Sequence, residues 1–201
     1  NLTLDKIQKL FLKDKLIVIR SSSFAEDKED NSFAGAFESF LNIKTENRYQ
    51  IKTYIEKVIK SYKKKKNNLK NNQVFIQSMV TNINTSGVAF TKELNTGSSY
   101  YVVNYDDVTG LSNSVTSGSG QFSNRTVLFV KNKNKYIKSE RFSKLIIAIK
   151  EIEKIFQNKS LDIEFIINKK LKIYILQVRH LSTPTIKKNI ELKITSHQKK
   201  L

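Results

Sequence analysis

The residues best suited to chemistry lie in two short alternating segments near the end of the chain. Asp162 and Glu164 are separated by one apolar residue, and so are Gln177 and Arg179. Residues two apart in a β-strand share a face, so each segment predicts a strand with one polar face. A hairpin between the two strands would place Glu164 opposite Gln177 and Asp162 opposite Arg179.

Such a patch could hold a metal ion together with a triphosphate. Mg²⁺ prefers carboxylate and amide oxygens and retains some of its water, while an arginine binds the phosphate oxygens that the metal leaves free. The pairing depends on a turn centred between Lys170 and Leu171. Polar faces are ordinary on antiparallel strands, so the hairpin by itself fits a solvated surface with an ion pair equally well.

A second candidate is an anion-binding edge that begins at Arg20. The preceding residues 16–19 are apolar and strand-like, and Ser21 opens a run of three serines that is followed by a small-residue turn at residues 32–35. A guanidinium at a strand end, with hydroxyls and backbone N–H groups close by, suits a polyphosphate chain.

A third candidate is the end of the strand-like run at residues 73–80. Its last four residues could form an adenine slot that offers backbone groups to the edge of the base. They are Gln77, Ser78, Met79 and Val80. By itself, the run reads more simply as a buried strand in which a methionine fills a gap.

Hydrophobic periodicity indicates which elements carry these residues. Apolar residues at helical spacing predict helices over residues 47–65 and 142–156. Alternating or apolar runs bounded by turn residues predict strands in the rest of the chain. These runs cover residues 16–20, 74–80, 87–91, 100–105 and 126–130 and a hairpin over 161–178. The expected fold class is therefore α+β, with a mostly antiparallel sheet and packed helices.

Composition narrows the function classes. The 201 residues include no cysteine, which leaves no disulfide or cysteine–zinc site, and no apolar run approaches the length of about 18 residues that spans a membrane. We therefore expect a soluble, cytoplasmic protein without a membrane partner. The charge of +18 could indicate a polyanionic partner, but the lysines are mixed with Asn and Ile as in a compositional bias. A non-catalytic basic module for nucleic acid or anionic surfaces stays open as an alternative, although nucleic acid is the less favoured partner.

Several motifs occur in an order that carries more information than any one of them. They are Val18-Ile19-Arg20-Ser21-Ser22-Ser23, Ala25-Glu26-Asp27, Ser32-Phe33-Ala34-Gly35, Leu41-Asn42-Ile43, Gln77 to Val80, Ser86-Gly87-Val88 with Phe90-Thr91, Asp162-Ile163-Glu164 and Ile175-Leu176-Gln177-Val178-Arg179. Over roughly residues 16–183, the chain resembles the nucleotide-binding domain of phosphoenolpyruvate synthase and pyruvate phosphate dikinase. The resemblance implies an ATP-grasp fold in which ATP lies between two lobes. It also implies transfer of the β-phosphoryl group to a histidine on a separate domain, with release of AMP and phosphate.

The resemblance also implies roles for single residues. Arg20, with Ser21 beside it, would hold phosphates, and residues 77–80 would line the adenine pocket. In the hairpin, Glu164 and Gln177 would ligate Mg²⁺. Asp162 and Arg179 would orient the metal and the phosphate groups, so that Arg20, Asp162 and Arg179 form the catalytic set.

The chain also departs from the family pattern. A glycine- and glutamate-containing segment of the family is replaced by residues 105–113, in which Asp106 or Asp107 could substitute for the glutamate. The family's phosphate-contacting lysine lies upstream of Arg20, and the chain begins at Asn1 with Met79 as its only methionine. We therefore expect a partial ATP-grasp domain at residues 1–183, incomplete at its N-terminal lobe, a linker at 184–201, and an isolated fragment without activity.

The small-molecule acceptor would bind to other domains. Pyruvate is the usual acceptor in the family. However, the Lys/Asn/Ile-rich composition and residues 104–107 are similar to a divergent branch found with surface-polysaccharide genes. L-glutamine kinase, which serves capsule biosynthesis, belongs to that branch, so L-glutamine is weakly favoured over pyruvate. A degenerate regulatory lobe that binds nucleotide without transfer is the remaining alternative.

Overall fold

The computed structural model describes residues 2–22, 38–64, 72–109, 111, 125–131, 137–158 and 160–181. The expected serine-rich run beyond Ser22, the turn at residues 32–35 and the linker at 184–201 lie outside these ranges. The chain divides into two compact units, Asn1–Met79 and Val80–Leu201. None of the described helices is long and apolar enough to cross a membrane.

The first unit pairs a three-stranded antiparallel sheet with helices. In chain order its elements are α1 (Leu2–Leu10), β1 (Leu16–Ser22), β2 (Ser39–Lys44), α2 (Arg48–Lys64) and β3 (Gln73–Ser78). The sheet order is β2-β1-β3. The buried core joins β1 and β2 to one side of α2 through Ile17, Ile19, Ile43, Ile51, Val58 and Tyr62.

The sequence predicted β1, α2 and β3, but not α1 or β2. Leu4 and Ile7 of α1 pack against the core of the unit, yet this helix spans only nine residues and gives a weak periodic signal. Strand β2 contains Asn42 with a φ of 58°. Its pairing with β1 shifts register at this position, so simple alternation does not reveal the strand.

In its described residues, the second unit has a five-stranded antiparallel sheet and one helix. In chain order its elements are β4 (Ile83–Phe90), β5 (Tyr100–Asp106), β6 (Arg125–Val130), α3 (Glu140–Phe156), β7 (Leu161–Asn168) and β8 (Ile173–His180). The sheet order is β6-β5-β4-β7-β8, and every pair is antiparallel. Two antiparallel sheets and three helices among the described residues confirm the α+β class with mostly antiparallel pairing.

Apolar residues of one sheet face form the core of the second unit together with α3. Leu145, Ile146 and Ile149 of α3 are fully buried, as are Ile163 and Ile167 of β7. The intervening residues of β7 therefore point to the opposite face. This alternation places Asp162 and Glu164 on the face that α3 does not cover.

Candidate metal and phosphate site

The hairpin of β7 and β8 brings together the four polar residues that the sequence singled out. Glu164 pairs with Gln177, and Asp162 pairs with Arg179. Both pairings are those expected from the sequence.

The turn of this hairpin differs from the expected one. Ile167 pairs with Ile173, which centres the turn on Lys170 rather than between Lys170 and Leu171. The Asn168 side-chain oxygen accepts the N–H groups of Lys170 and Lys172, and Leu171 adopts a φ of 58°. The expectation of the turn was wrong by half a residue because this left-handed position leaves no signal in the hydrophobic pattern.

A bulge in β8 restores the pairing at the site. The register shifts between Glu164 and Phe165, so β8 holds one more residue than β7 over this stretch. Ile173 and Val178 both pack against the core although they lie five positions apart. Strict alternation would put them on opposite faces. The bulge therefore directs apolar side chains near the turn toward the core and still leaves Gln177 and Arg179 on the polar face.

Arg179 forms ion pairs with both carboxylates through a single nitrogen. Its Nη2 lies 3.0 Å from Asp162 Oδ2 and 3.2 Å from Glu164 Oε1. The three side chains are between 16% and 19% exposed, so water screens the charges only weakly. When both carboxylates are ionised, Arg179 offsets only part of their negative charge.

Asp162 has an unusual environment for a carboxylate. Its Oδ1 atom is buried and has no hydrogen-bond partner among the described residues. Burial raises the pKa of Asp162 above its ordinary value, and the nearby Arg179 guanidinium partly opposes this rise. A buried oxygen without a donor is suited to coordinate a cation.

The donor set fits a magnesium ion that brings some ligands of its own. Asp162 and Glu164 offer carboxylate oxygens and Gln177 offers an amide oxygen, which are the atoms that Mg²⁺ prefers. No group of three or more His, Cys, Asp or Glu side chains among the described residues is arranged to hold a metal. The hairpin therefore supplies only part of a coordination shell, as expected where water and phosphate oxygens supply the rest.

In the first unit, Arg20 lies on the face of β1 that does not join the core. It pairs with Phe75 of β3, and its guanidinium carbon lies 5.6 Å from the centre of the Phe75 ring. The Nε atom is buried and has no hydrogen-bond partner among the described residues. Within the described ranges, Arg20 thus contacts an aromatic ring and no acid, which suits a group that binds an anion.

Ser21 does not share the face of Arg20. Ile17, Ile19 and Ser21 alternate with Arg20 along β1 and are buried on the core side, and the Ser21 N–H donates to the Glu38 carbonyl. The structure therefore does not bring the Ser21 side chain together with Arg20. The serine run reads as one motif in the sequence, but strand alternation separates its members.

The expected adenine-binding residues have different environments. Gln77 pairs with Val18, so it lies on the same face as Arg20. Ser78 instead donates to Asp14 Oδ2 at 2.9 Å, and the Met79 N–H donates to the Leu16 carbonyl. Gln77 is therefore the member of this set whose side chain shares a face with Arg20.

Val80 lies outside β3, whereas Phe75 of β3 lies on the same face as Gln77. Val80 lies beyond the end of β3 and opens the second unit. Phe75 was not predicted as a site residue, although its alternation with Gln77 would have placed both on the face that carries Arg20. Phe75 is 46% exposed, which is unusual for a phenylalanine in a strand.

The two candidate acids near the end of β5 are engaged within the second unit. Asp106 is 1% exposed, and its carboxylate accepts the N–H groups of Val108 and Thr109. Asp107 forms ion pairs with Arg141 at 2.8 Å and with Arg125 at 3.1 Å. Asp106 therefore stabilises the turn after β5, and Asp107 links this turn to β6 and α3.

Comparison with known proteins now defines the family. The model of the family described as "Pyruvate phosphate dikinase, AMP/ATP-binding domain" matches residues 2–144. The chain belongs to this family. The match confirms the resemblance read from the sequence motifs and the ATP-grasp type of fold expected with it. It ends before the β7–β8 hairpin, so the roles of the four hairpin residues depend on their geometry and on the motif resemblance.

Two individual proteins are similar to the chain. The uncharacterized phosphotransferase YvkC from Bacillus subtilis is 45% identical over 58 residues, which are 26% of this chain and 7% of that protein. D-alanyl-alanine synthetase A from Vibrio cholerae superposes over 97% of this chain and 50% of its own length, with 18% identity and a TM-score of 0.46. The chain thus spans about half the length of the synthetase, and its match covers a small part of the phosphotransferase.

Proposed function

We propose that this chain is the ATP-binding part of a dikinase-type phosphotransferase. The enzyme passes the β-phosphoryl group of ATP to a histidine on another domain and from there to a small acceptor, with release of AMP and phosphate. Membership of the dikinase AMP/ATP-binding family supports nucleotide binding. The observation that carries the proposal further is the paired cluster of two acids, an amide and an arginine on one sheet face.

In this proposal the four hairpin residues have different roles in binding the metal ion and the phosphates. Glu164 and Gln177 hold Mg²⁺, which neutralises charge on the phosphates when it is bound. Asp162 contributes a negative charge and orients the site, and Arg179 binds phosphate oxygens through its planar donors. Phosphoryl transfer needs mainly positioning and charge stabilisation, and these four side chains can supply both.

Other residues have the roles that the family resemblance implies. Arg20 holds phosphates, and Gln77 to Val80 contact the base. The absence of an acidic partner for Arg20 among the described residues supports this role, because its charge is not already neutralised there. Ser21 is assigned no side-chain contact because it lies on the other face of β1.

The test measures AMP release by the full-length protein after mixing with ATP and Mg²⁺. Glu164→Gln and Arg179→Ala should each reduce the rate by about a hundredfold or more, because each removes a charge that faces the transferred group. Glu151→Gln is the matched control, since Glu151 lies exposed on α3 and should leave the rate unchanged. Near-normal rates in both site variants would refute the enzymatic proposal.

The acceptor is a separate part of the proposal. L-glutamine is favoured weakly and pyruvate is next, because the sequence bias is similar to the capsule-associated branch of the family. Incubating the full-length protein with ATP and each compound, and identifying the phosphorylated product, distinguishes them. Formation of phosphoenolpyruvate without any phosphorylated glutamine would overturn the preference and leave the ATP-binding role intact.

A further inference from the structure

We propose that Arg179 is the resident counter-ion of Asp162 and Glu164, and that it leaves these carboxylates for phosphate oxygens when a divalent cation and a nucleotide bind together. The inference rests on the proposed function and adds a binding order to it. It predicts that the cation alone binds poorly, and that cation and nucleotide assist each other.

One nitrogen of Arg179 occupies the position that a shared metal ion would need. Arg179 Nη2 lies within 3.2 Å of an oxygen from each carboxylate, so it occupies the point where the two acids converge. A divalent cation that is shared by the same acids needs the same lone pairs at about 2.1 Å. A guanidinium and a metal ion at this point would repel each other in a region with little water.

Arg179 also lowers the attraction of the site for a metal ion. Its positive charge offsets part of the negative charge of Asp162 and Glu164, and a divalent cation must lose part of its water to bind there. Removing the guanidinium makes the electrostatic potential at the same oxygens more negative. Because like-charged carboxylates close together repel each other, a cation between Asp162 and Glu164 stabilises their ionised forms.

Phosphate oxygens offer Arg179 an alternative partner. A nucleoside triphosphate offers phosphate oxygens that fit the paired N–H donors of a guanidinium at least as well as carboxylate oxygens do. Transfer of Arg179 to phosphate would free the carboxylate oxygens for the metal. The exchange keeps every charge paired, and it makes the affinity for each ligand depend on the other.

The experiment measures Mn²⁺ binding to the full-length protein by the loss of the free-ion electron paramagnetic resonance signal, with and without a non-hydrolysable ATP analogue. In the parent protein, the analogue should tighten Mn²⁺ binding. In Arg179→Gln, we expect Mn²⁺ to bind about tenfold more tightly than in the parent when no nucleotide is present, and the effect of the analogue should shrink.

Three variants serve as controls. Arg179→Lys keeps the charge and should resemble the parent protein without nucleotide. Arg125→Gln removes a positive charge that pairs with Asp107 instead, and it should leave Mn²⁺ affinity unchanged. Glu164→Gln tests the proposed function separately, because it should weaken Mn²⁺ binding in the presence of the analogue.

The outcomes distinguish the two proposals. Weaker nucleotide-free Mn²⁺ binding in Arg179→Gln would mean that Arg179 only holds the carboxylates in place, and it would overturn the exchange. The same result with a strong loss in Glu164→Gln would leave the metal site standing. If Glu164→Gln binds Mn²⁺ and the analogue as the parent does, the hairpin is not the metal site and both proposals fail.

Discussion

Gly87 in β4 offers the sharpest structural test, because a side chain there would collide with the neighbouring strand. A Cβ atom on Gly87 would lie 2.1 Å from the Asn104 carbonyl oxygen and 2.9 Å from the Tyr105 Cα. Ordinary contact begins near 3.4 Å, so β4 and β5 would have to separate by more than 1 Å at this point. Backbone atoms in a central pair of strands have little freedom to move apart.

The cost of Gly87→Ala follows from that displacement. Overpacking in a well-packed region costs about 1–3 kcal/mol, and a separation above 1 Å also breaks about two backbone hydrogen bonds worth about 1 kcal/mol each. The total of about 3–5 kcal/mol should increase amide exchange in β4 and β5 by a hundredfold or more. Because Val88 of β4 also pairs with Glu164 of β7, Mn²⁺ binding in the presence of nucleotide should weaken as well.

The assay is hydrogen–deuterium exchange of the full-length protein, read by mass spectrometry over peptides from β4 and β5. Ala89→Gly is the matched control, since Ala89 is fully buried in the same strand. Removal of its methyl group should lower the free energy of unfolding by about 1 kcal/mol. Exchange in Gly87→Ala that stays within the range of this control would refute the close approach of β4 and β5.

Three further substitutions have definite expected outcomes. Burial raises the pKa of Asp162 in the folded protein. Protonation of Asp162 therefore stabilises the fold fully below the unfolded pKa near 3.9, and this stabilisation is lost as pH rises through the folded pKa. Asp162→Asn should flatten this part of the pH dependence of the free energy of unfolding, measured with urea from about pH 3 to about pH 7. Tyr101→Phe removes a 2.7 Å hydrogen bond to Glu153 at a site where Tyr101 is 2% exposed, and it should lower the free energy of unfolding by about 1–2 kcal/mol in calorimetry. Tyr62→Phe removes the acceptor of the Ser22 N–H, and it should speed amide exchange at Ser22; unchanged exchange would contradict that bond.

The sequence predicted those elements that carry a strong period. The helix at residues 47–65 corresponds to α2, and the helix at 142–156 lies within α3, because each has a continuous apolar stripe. The short α1 and the bulged β2 were missed, since their stability comes from packing against the core of their unit rather than from their own pattern. Local pattern also failed at Ser21, where a run of like residues hides the alternation of the strand.

The predicted pairs of the hairpin were right, and the predicted centre of its turn was wrong. A turn centred on Lys170 would pair Glu164 with Leu176 if β8 were regular, and the amide and guanidinium would move to the core side. A bulge in β8 prevents this change of face. Its signal in the sequence is the spacing of Ile173 and Val178, which lie five positions apart and both pack on the core. The site therefore depends on two separate features, a left-handed turn residue and one extra residue in β8. A deletion at either feature would shift the polar residues of β8 to the opposite face without changing any of the four side chains.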